Sequence, residues 1–203
     1  MKKFLATIMA VGALAIAAPA IAAPAVGSPA PDFSATDVNG KAIKLADLKG
    51  KIVVLEWTNN ECPYVKKHYG SGNMQKTQKE ATAKGVEWIT INSSAPGRQG
   101  HVSAEDAKKI MSDAGGTPSA EILDESGTIG KAYDAKTTPH MFVIDKEGTL
   151  AYAGAIDDNP SPKPEDAATA KNYVLAALND IEAGKPVETP TSQPYGCAVK
   201  YGD

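Results

Sequence analysis

Apolar residues are concentrated in short runs that alternate along the chain with longer and more polar segments. The run Ile52–Trp57 is interrupted only by Glu56, and a second, mainly apolar run spans Val86–Ile91. Runs of this length and character are typical of strands buried on both faces of a sheet. We therefore predict central strands at both places, and a further strand at His140–Ile144.

Three longer segments favour helices. Pro63–Lys84 has a helix-forming composition, although Gly70 and Gly72 predict that the helix is short or broken there. The segment Ser103–Ser112 begins with a capping box, in which a serine and an acidic residue three positions later open a helix. The clearest amphipathic pattern spans Glu165–Ala183, where apolar residues recur near helical spacing.

Shorter signals complete the order of elements. Asn39-Gly40 between apolar residues predicts a hairpin turn. Short elements are also expected at Leu45–Leu48, Ile122–Leu123, Ile129–Tyr133 and Leu150–Ala153. This alternation of strands and helices predicts an α/β domain, whose mostly parallel sheet is covered on both faces and completed by an antiparallel hairpin at one edge.

The charge balance of the chain argues against nucleic-acid binding. The chain has 203 residues, of which 42% are hydrophobic and 22% are charged, as in soluble globular proteins. The formal net charge is −3 and Arg98 is the single arginine, so the chain lacks the basic character of a nucleic-acid binder. We therefore expect no nucleic-acid partner.

The N-terminus has the pattern of a secretory signal peptide. Lys2 and Lys3 precede the uncharged, apolar stretch Phe4–Ala18, and Ala20-Ile21-Ala22 is a small-x-small cleavage site. We expect residues 1–22 to be removed and the protein to be exported, periplasmic or secreted, without a stable membrane anchor. An uncleaved anchor is the alternative. Disulfides persist in such compartments.

Changes in composition divide the rest of the chain. A Pro- and Ala-rich linker at residues 23–30 precedes one predicted domain at residues 31–184. A Pro-, Thr- and Ser-rich tail follows at residues 185–203 and carries Cys197, the second of two cysteines. Two cysteines allow one bridge or two separate thiols.

Cys62 follows a predicted strand and directly precedes a predicted helix, and this position favours a reactive thiol. The unpaired N–H groups and the positive partial charge of a helix N-terminus both favour thiolate over thiol. Lys66, Lys67 and His68 are expected to add positive charge one turn further along. Because the thiolate is the nucleophilic form, we predict nucleophilic thiol chemistry at Cys62, with a buried and inert cysteine as the alternative.

Three segments carry a family resemblance: Asn-Glu-Cys-Pro-Tyr-Val around Cys62, Tyr152–Asp158, and Gly-Cys-Ala-Val-Lys around Cys197. With them the chain resembles the thioredoxin-fold superfamily, and within it the redoxin group of peroxiredoxin-like proteins. The resemblance implies a thioredoxin fold with a central mixed sheet and an N-terminal hairpin extension. It also implies an antioxidant oxidoreductase that needs no cofactor. In it, Cys62 reduces a peroxide and an external thiol reductant restores the enzyme.

The same resemblance implies roles for residues around Cys62. Pro139, which follows Thr138, matches the cis proline that faces the active cysteine in thioredoxin folds. The backbone next to that proline pairs with the incoming substrate. Further residues are expected to shape the substrate pocket, namely Thr58, Asn59, Asn60 and Pro63.

Glu56 interrupts an apolar run, where a carboxylate is costly unless it is protonated or partnered. It precedes Cys62 by six residues, the spacing at which many thioredoxins place a buried acid that carries protons for thiol exchange. Two interpretations stay open. Glu56 acts as a general acid or base with a raised pKa, or it points to the sheet edge and pairs with a lysine.

Departures from the related families leave the substrate open. Val65 stands where thioredoxins have a second active-site cysteine. Leu55 and Asn59 stand at the Pro and Thr positions of the peroxiredoxin motif, and Arg98 lies in a predicted loop without a clear catalytic counterpart. The alternative to a peroxidase is therefore a thioredoxin-like thiol–disulfide oxidoreductase that acts on disulfides.

Cys197 is the expected resolving thiol, since a sulfenic acid at Cys62 would condense with it to form a disulfide. The Pro- and Gly-rich tail that carries Cys197 is expected to be mobile. A permanent structural disulfide or an unpaired thiol are the alternatives. Pairing within one chain and pairing across a homodimer both stay open.

A non-enzymatic role is the third interpretation. His68, His101 and His140 raise the question of a metal, and a copper-delivery member of the superfamily uses two cysteines and a distant histidine. Thr58 stands at the position of the first of those cysteines, which leaves one thiolate. We therefore expect no metal site, and a metal-delivery or binding module stays the alternative to an enzyme.

Overall fold

The computed structural model describes residues 23–203, and the predicted signal peptide lies outside them. The strands are β1 (Ser34–Thr36), β2 (Ala42–Lys44), β3 (Val53–Trp57), β4 (Glu87–Asn92), β5 (Ala120–Leu123), β6 (Thr137–Thr138), β7 (His140–Ile144), β8 (Leu150–Gly154) and β9 (Cys197–Ala198). The helices are α1 (Pro63–Gly70), α2 (Asn73–Ala83), α3 (Ala104–Asp113), α4 (Thr128–Ala132) and α5 (Tyr173–Glu182). Within this part of the chain, no helix combines the length and the apolar character needed to span a bilayer.

Five strands form the central sheet in the order β5-β4-β3-β7-β8. β3 pairs in parallel with β4, and β4 pairs in parallel with β5. β7 runs antiparallel to both β3 and β8. The sheet is therefore mixed, and the predicted thioredoxin fold with an N-terminal hairpin, here β1 and β2, is confirmed.

β3 is the central strand, and every one of its residues is buried. Because successive side chains of a strand point to opposite faces, β3 contributes to two cores. Leu55 and Trp57 pack in a core with residues of the N-terminal hairpin and α4, whereas Val54 packs in a second core with residues of α2 and α5. Burial on both faces accounts for the nearly continuous apolar run in the sequence.

Two turn predictions are confirmed. The side chain of Asp37 accepts hydrogen bonds from the backbone N–H groups of Asn39 and Lys41, over 2.9 and 2.8 Å, and closes the hairpin turn. The long helix predicted from Pro63 is broken as expected. Gly72 has a φ of +76° and is the N-cap of α2, a left-handed conformation that glycine adopts without strain.

The helix predicted over Glu165–Ala183 is wrong in its first half. Pro164–Ala167 forms a 3₁₀ turn, and α5 begins only at Tyr173. The reason is Asn172, whose side chain accepts a backbone hydrogen bond over 2.9 Å and caps the helix there. The backbone of Asn172 also forms a bridge with that of Asp157, which holds the preceding segment outside the helix.

The C-terminal tail is packed against the domain on both sides of Cys197, although the sequence predicts a mobile segment. The N–H of Ser192 donates to the carbonyl oxygen of Ala153 over 3.2 Å, and its hydroxyl accepts from the N–H of Ala155 over 2.9 Å. After β9, the N–H of Val199 donates to the domain backbone over 3.0 Å. These hydrogen bonds fix the path of the tail.

Candidate active site

Cys62 lies at the junction of β3 and α1, as predicted. It is the N-cap residue of α1, and Pro63 is the first helical residue. Its backbone N–H donates to the carbonyl oxygen of Asn59 over 3.0 Å, which closes the turn between strand and helix. The side chain is buried, with the thiol at the positive end of the helix dipole.

The structure brings Cys197 onto Cys62 within one chain. The two Sγ atoms lie 2.7 Å apart, and both residues are free thiols. The pairing of β6 with β9 sets this contact, since Thr138 and Cys197 are direct partners in the antiparallel register. The thiol of Cys62 also donates to the carbonyl oxygen of Thr138 over 3.0 Å. The two cysteines that the sequence analysis selected therefore lie in contact with each other, and Cys62 also contacts the backbone before Pro139.

Pro139 follows Thr138 through a cis peptide bond, as the resemblance implies. The carbonyl oxygen of Thr138 faces Cys62, whereas its hydroxyl is buried without a hydrogen-bond partner among the described residues. The loop therefore presents backbone atoms to the thiol.

The two thiols differ in their acidity. Burial raises the pKa of Cys62, but the hydrogen bond with Cys197 and the backbone of Val65 in the first helical turn act against it, and the pKa lies below its ordinary value. Burial and the hydrogen bond with Cys62 raise the pKa of Cys197 to about 11. Of the two thiols, Cys62 is therefore the more acidic, as a nucleophilic cysteine requires.

The positive charge expected from His68 is wrong. Burial and the charge of Lys67 lower the pKa of His68 to about 3, so its ring is neutral at pH 7. Lys67 is buried too, and its Nζ donates to the carbonyl oxygen of Asn159 over 2.6 Å and lies 3.7 Å from Asp157. The loop after β8 therefore contacts both Lys67 and His68, whose Nε2 lies 4.0 Å from Asp157.

Glu56 is fully buried on the central strand, and three side chains donate hydrogen bonds to its carboxyl group. The donors are the hydroxyl of Tyr69 over 3.1 Å, Nε2 of Gln78 over 3.1 Å and Nε1 of Trp88 over 2.8 Å. Burial outweighs these donors and raises the pKa of Glu56 to about 7. The interpretation that Glu56 points to the sheet edge and pairs with a lysine is therefore wrong.

The three predicted pocket residues before Cys62 have different surroundings. Thr58 and Asn60 line a mainly apolar cavity of about 130 Å³ beside α1 and α3. Asn59 instead braces the loop, since its Oδ1 accepts from the N–H of Glu61 over 2.8 Å and its Nδ2 donates to a backbone carbonyl over 3.1 Å. Asn59 therefore holds the turn that presents Cys62, and Thr58 and Asn60 border open space.

The remaining polar candidates take part in other interactions. On the surface, Arg98 pairs with Asp203 over 2.8 Å and His101 pairs with Glu125 over 3.0 Å. Burial lowers the pKa of His140 to about 4, and its Nδ1 accepts a backbone hydrogen bond over 3.2 Å. Across residues 23–203, no three His, Cys, Asp or Glu side chains are grouped as a metal site would require.

Tyr195 and Asp157 belong to the surroundings of the site. The sequence analysis included Asp157 only within the segment Tyr152–Asp158, and it did not single out Tyr195. The phenol of Tyr195 donates to Oδ1 of Asp157 and lies 3.1 Å from Nε2 of His68. Tyr195 thereby fixes the tail two residues before Cys197. A tyrosine close to a cysteine, in a tail otherwise rich in Pro, Thr and Ser, is the signal that points to it.

Comparison with known proteins agrees with this geometry. The sequence matches the AhpC/TSA family over residues 26–153. The thiol-disulfide oxidoreductase ResA of Bacillus subtilis is 32% identical over 119 residues, which make up 59% of this chain and 61% of ResA. The chain therefore spans less than two thirds of the length of this relative.

Solved structures show the same architecture. An uncharacterized conserved protein of Geobacillus kaustophilus has a TM-score of 0.77 and 29% identity, over 88% of this chain and 93% of its own. A protein of Chlorobium tepidum described as a thiol:disulfide interchange protein, DsbE, has a TM-score of 0.56 and 25% identity, over 77% of this chain and 99% of its own. The family match covers more than half of the chain and includes Cys62. The chain therefore belongs to the AhpC/TSA family.

Proposed function

We propose that this protein is an exported thiol–disulfide oxidoreductase that acts on disulfide substrates. The observation that carries the proposal is the contact of Cys62 with Cys197, whose sulfur atoms lie 2.7 Å apart at the N-terminus of α1. A thiolate attacks a disulfide through a mixed-disulfide intermediate, at a rate that depends on its ionisation and access. The lowered pKa of Cys62 increases the fraction of that thiolate.

The reaction uses both thiols. The thiolate of Cys62 attacks one sulfur of the substrate disulfide, the S–S bond breaks, and the other sulfur leaves as a thiolate that takes up a proton. Cys197 then loses its proton and attacks Sγ of Cys62, which releases the second substrate sulfur as a thiol. One substrate disulfide is thereby reduced to two thiols, while the two cysteines are oxidised to one disulfide. An external thiol reductant returns them to the starting state.

Glu56 is proposed to store the proton that moves in this exchange. Its pKa of about 7 allows the carboxyl group both to hold and to release a proton near neutral pH. The hydroxyl of Tyr69, which donates to Glu56, borders the cavity that Thr58 and Asn60 also line. Tyr69 therefore lies between the buried carboxyl group and the open space beside α1.

The substrate side of the proposal rests on the loop at Pro139. The carbonyl oxygen of Thr138 contacts the thiol of Cys62. The strand β6, which contains Thr138, already pairs with β9, which carries Cys197. This supports an extended peptide or a small disulfide as the substrate, with Pro63 and Pro139 bordering the reacting sulfur.

The division of the chain into linker, domain and tail stays a prediction from the sequence, and so does the homodimer.

Disulfides are favoured over peroxide as the substrate. The sequence resemblance put peroxide first, but ResA and the DsbE relative are named for thiol–disulfide chemistry. Activation of a peroxide needs hydrogen-bond donors placed beside the thiolate. Arg98, the single arginine, pairs instead with the carboxylate of Asp203.

The proposed export follows from the signal peptide predicted at residues 1–22. The external thiol reductant is therefore expected in the same compartment as the exported protein.

A comparison of two oxidants tests the proposal. The reduced protein is mixed with glutathione disulfide or with hydrogen peroxide, and loss of thiols is followed over time together with the mass of the products. We expect glutathione disulfide to convert Cys62 and Cys197 to an intramolecular disulfide at least about tenfold faster than peroxide at equal concentration. Cys62→Ser is expected to abolish the reaction, and Cys197→Ser to stop it at the mixed disulfide with glutathione.

The matched pair of serine variants makes the result decisive. A Cys62→Ser protein that exchanges as fast as the wild type would rule out Cys62 as the nucleophile. Rapid loss of both thiols with peroxide and none with glutathione disulfide would restore the peroxidase interpretation. Tight binding of Cu(I) that is lost in Cys62→Ser, with no thiol loss to either oxidant, would instead favour metal delivery.

A further inference from the structure

Tyr195 holds the tail through contacts with a buried group of charged and polar side chains. Its hydroxyl donates to Asp157 and lies 3.1 Å from Nε2 of His68 and 3.5 Å from Nζ of Lys67. Lys67, His68 and Asp157 are all almost completely inaccessible to solvent, with exposed fractions of 0, 0 and 2%. Lys67 and His68 belong to α1, the helix that carries Cys62 at its N-terminus.

The aromatic ring of Tyr195 is held as well as its hydroxyl. Its centroid lies 5.7 Å from that of Tyr64, and Nζ of Lys67 lies 5.3 Å from the ring. The two rings are tilted by 58° to each other, and a contact between aromatic rings and a cation near a ring face are both favourable. The phenol therefore occupies a slot formed by the first two turns of α1 and the loop around Asp157.

The position of this slot determines where Cys197 lies. Gly196 is the only residue between Tyr195 and Cys197, so the slot and the reacting sulfur are joined by a very short length of chain. Tyr195 is fixed on one side of Cys197, and Cys197 itself pairs with Thr138. Together these contacts restrict the thiol of Cys197 to positions close to Cys62.

We propose that Tyr195 is a positioning residue that holds Cys197 against Cys62, and that it thereby keeps the thiol of Cys62 covered against other disulfides until the tail moves. The first effect, the positioning of Cys197 for exchange, rests on the proposed function. The second effect, the covering of Cys62 by the tail, does not. Holding two reactants together raises their effective concentration without any new contact at the reacting atoms. The same tail covers the edge of β6 and the thiol of Cys62, so an external substrate competes with it.

Two opposite effects follow from removal of the hydroxyl. Tyr195→Phe keeps the ring but loses the contacts with Asp157, His68 and Lys67. In the exchange, Cys62 and Cys197 lose two protons and two electrons to glutathione disulfide, which becomes two molecules of glutathione. We expect the effective concentration of Cys197 at Cys62, measured from this equilibrium, to fall at least about tenfold, as for loss of a hydrogen bond to a charged group.

The second effect is measured without any redox reaction. In the Cys197→Ser background, we expect Tyr195→Phe to raise the rate at which iodoacetamide alkylates Cys62 by about tenfold, because the tail leaves Cys62 more often. Tyr173→Phe is the matched control. It also removes one tyrosine hydroxyl, from a ring that packs on Tyr152 at 6.4 Å, away from the two thiols. It is expected to change neither quantity.

The outcomes separate this inference from the proposed function. If the wild type forms no Cys62–Cys197 disulfide with glutathione disulfide, the proposed function fails, and the alkylation rates still test Tyr195. If the disulfide forms normally in Tyr195→Phe and alkylation is no faster, Tyr195 does not position the tail. Equal effects of Tyr195→Phe and Tyr173→Phe would show a general loss of stability and would also overturn the inference. Urea unfolding of each variant confirms that the proteins compared are folded.

Discussion

The indole Nε1 of Trp88 donates a hydrogen bond to Oε2 of Glu56 over 2.8 Å, between neighbouring parallel strands at the centre of the sheet. Neither group has an exposed surface. The neutral donors around the carboxyl group stabilise its charge only in part, and burial keeps the pKa of Glu56 at about 7. The core therefore contains a carboxyl group that gains or loses its proton near neutral pH.

Glu56 is expected to make the protein less stable as the pH rises from 5 to 8. The carboxyl group has a pKa of about 7 in the folded protein and about 4.5 in the unfolded chain, so only the folded protein holds this proton between those values. The stabilisation is complete below pH 4.5 and is lost as the pH rises through 7. Glu56→Gln, which stays neutral, should lose about 2 to 3 kcal/mol less over this range in urea unfolding.

Comparison with a second, partly buried acid checks that prediction. Burial also raises the pKa of Glu121 to about 7, and the charge of Glu121 contributes to the raised pKa of Glu56, so Glu121→Gln should reduce the same slope through both groups. His68 and His140 have lowered pKa values and contribute a slope of opposite sign, which is common to all three proteins and cancels in the comparison. Identical pH profiles for the wild type and Glu56→Gln would show that Glu56 does not titrate in this range.

Gly196→Ala is expected to weaken the docking of Cys197. Gly196 has a φ of +131°, and a Cβ there would overlap the carbonyl oxygen of Thr138. A residue other than glycine in such a conformation costs about 1 to 3 kcal/mol. The effective concentration of Cys197 at Cys62, measured against glutathione, should therefore fall about tenfold or more.

Gly202→Ala is the control for this substitution in the same tail. Its Cβ would meet only Ala95, at 3.3 Å, and its φ lies outside the left-handed region. Gly202→Ala should leave the equilibrium with glutathione within about twofold of the wild type, since this position strains no backbone dihedral and its Cβ would meet neither Cys197 nor Thr138. An equal fall in both variants would mean that the space at Gly196 does not set the position of Cys197.

Asn172→Ala is expected to destabilise α5. The side chain caps the helix by accepting from the N–H of Leu175 over 2.9 Å, and its Nδ2 donates to the hydroxyl of Thr77 over 2.9 Å. Loss of an N-cap side chain costs about 1 kcal/mol, and urea unfolding of the reduced protein measures it. Asn172→Asp keeps the capping oxygen and should recover most of the loss. No difference between Asn172→Ala and the wild type would contradict the role given to this cap.

Local signals in the sequence predict much of this fold. The continuous apolar run at Ile52–Trp57 predicts a central strand because burial on both faces leaves a signature in the residues themselves. Asn39-Gly40 and Gly72 mark breaks because their backbone conformations suit few other residues. The place of Cys62 at a helix N-terminus is predictable for the same reason, since Pro63 favours the first turn of a helix.

The features that were missed depend on contacts between distant segments. β6 and β9 have two residues each and pair across the chain, so no pattern of periodicity could reveal them. The apolar spacing continues through Ala167, but the cap at Asn172 overrides it. The charge of His68 depends on its burial beside Lys67, a contact that the helical sequence does not disclose.

The acidity of Cys62 is expected to depend on the side chain at position 197. The thiol of Cys197 hydrogen-bonds to the sulfur of Cys62, and this contact lowers the pKa of Cys62 against the opposing effect of burial. Cys197→Ala removes the donor and should raise the pKa of Cys62, whereas Cys197→Ser keeps a hydroxyl donor and should leave it lower. Each variant has one thiol, so the absorbance of the thiolate at about 240 nm, followed from pH 4 to pH 9, reports Cys62 alone. Equal pKa values in the two variants would show that the helix N-terminus, and not the side chain at position 197, sets the acidity of Cys62.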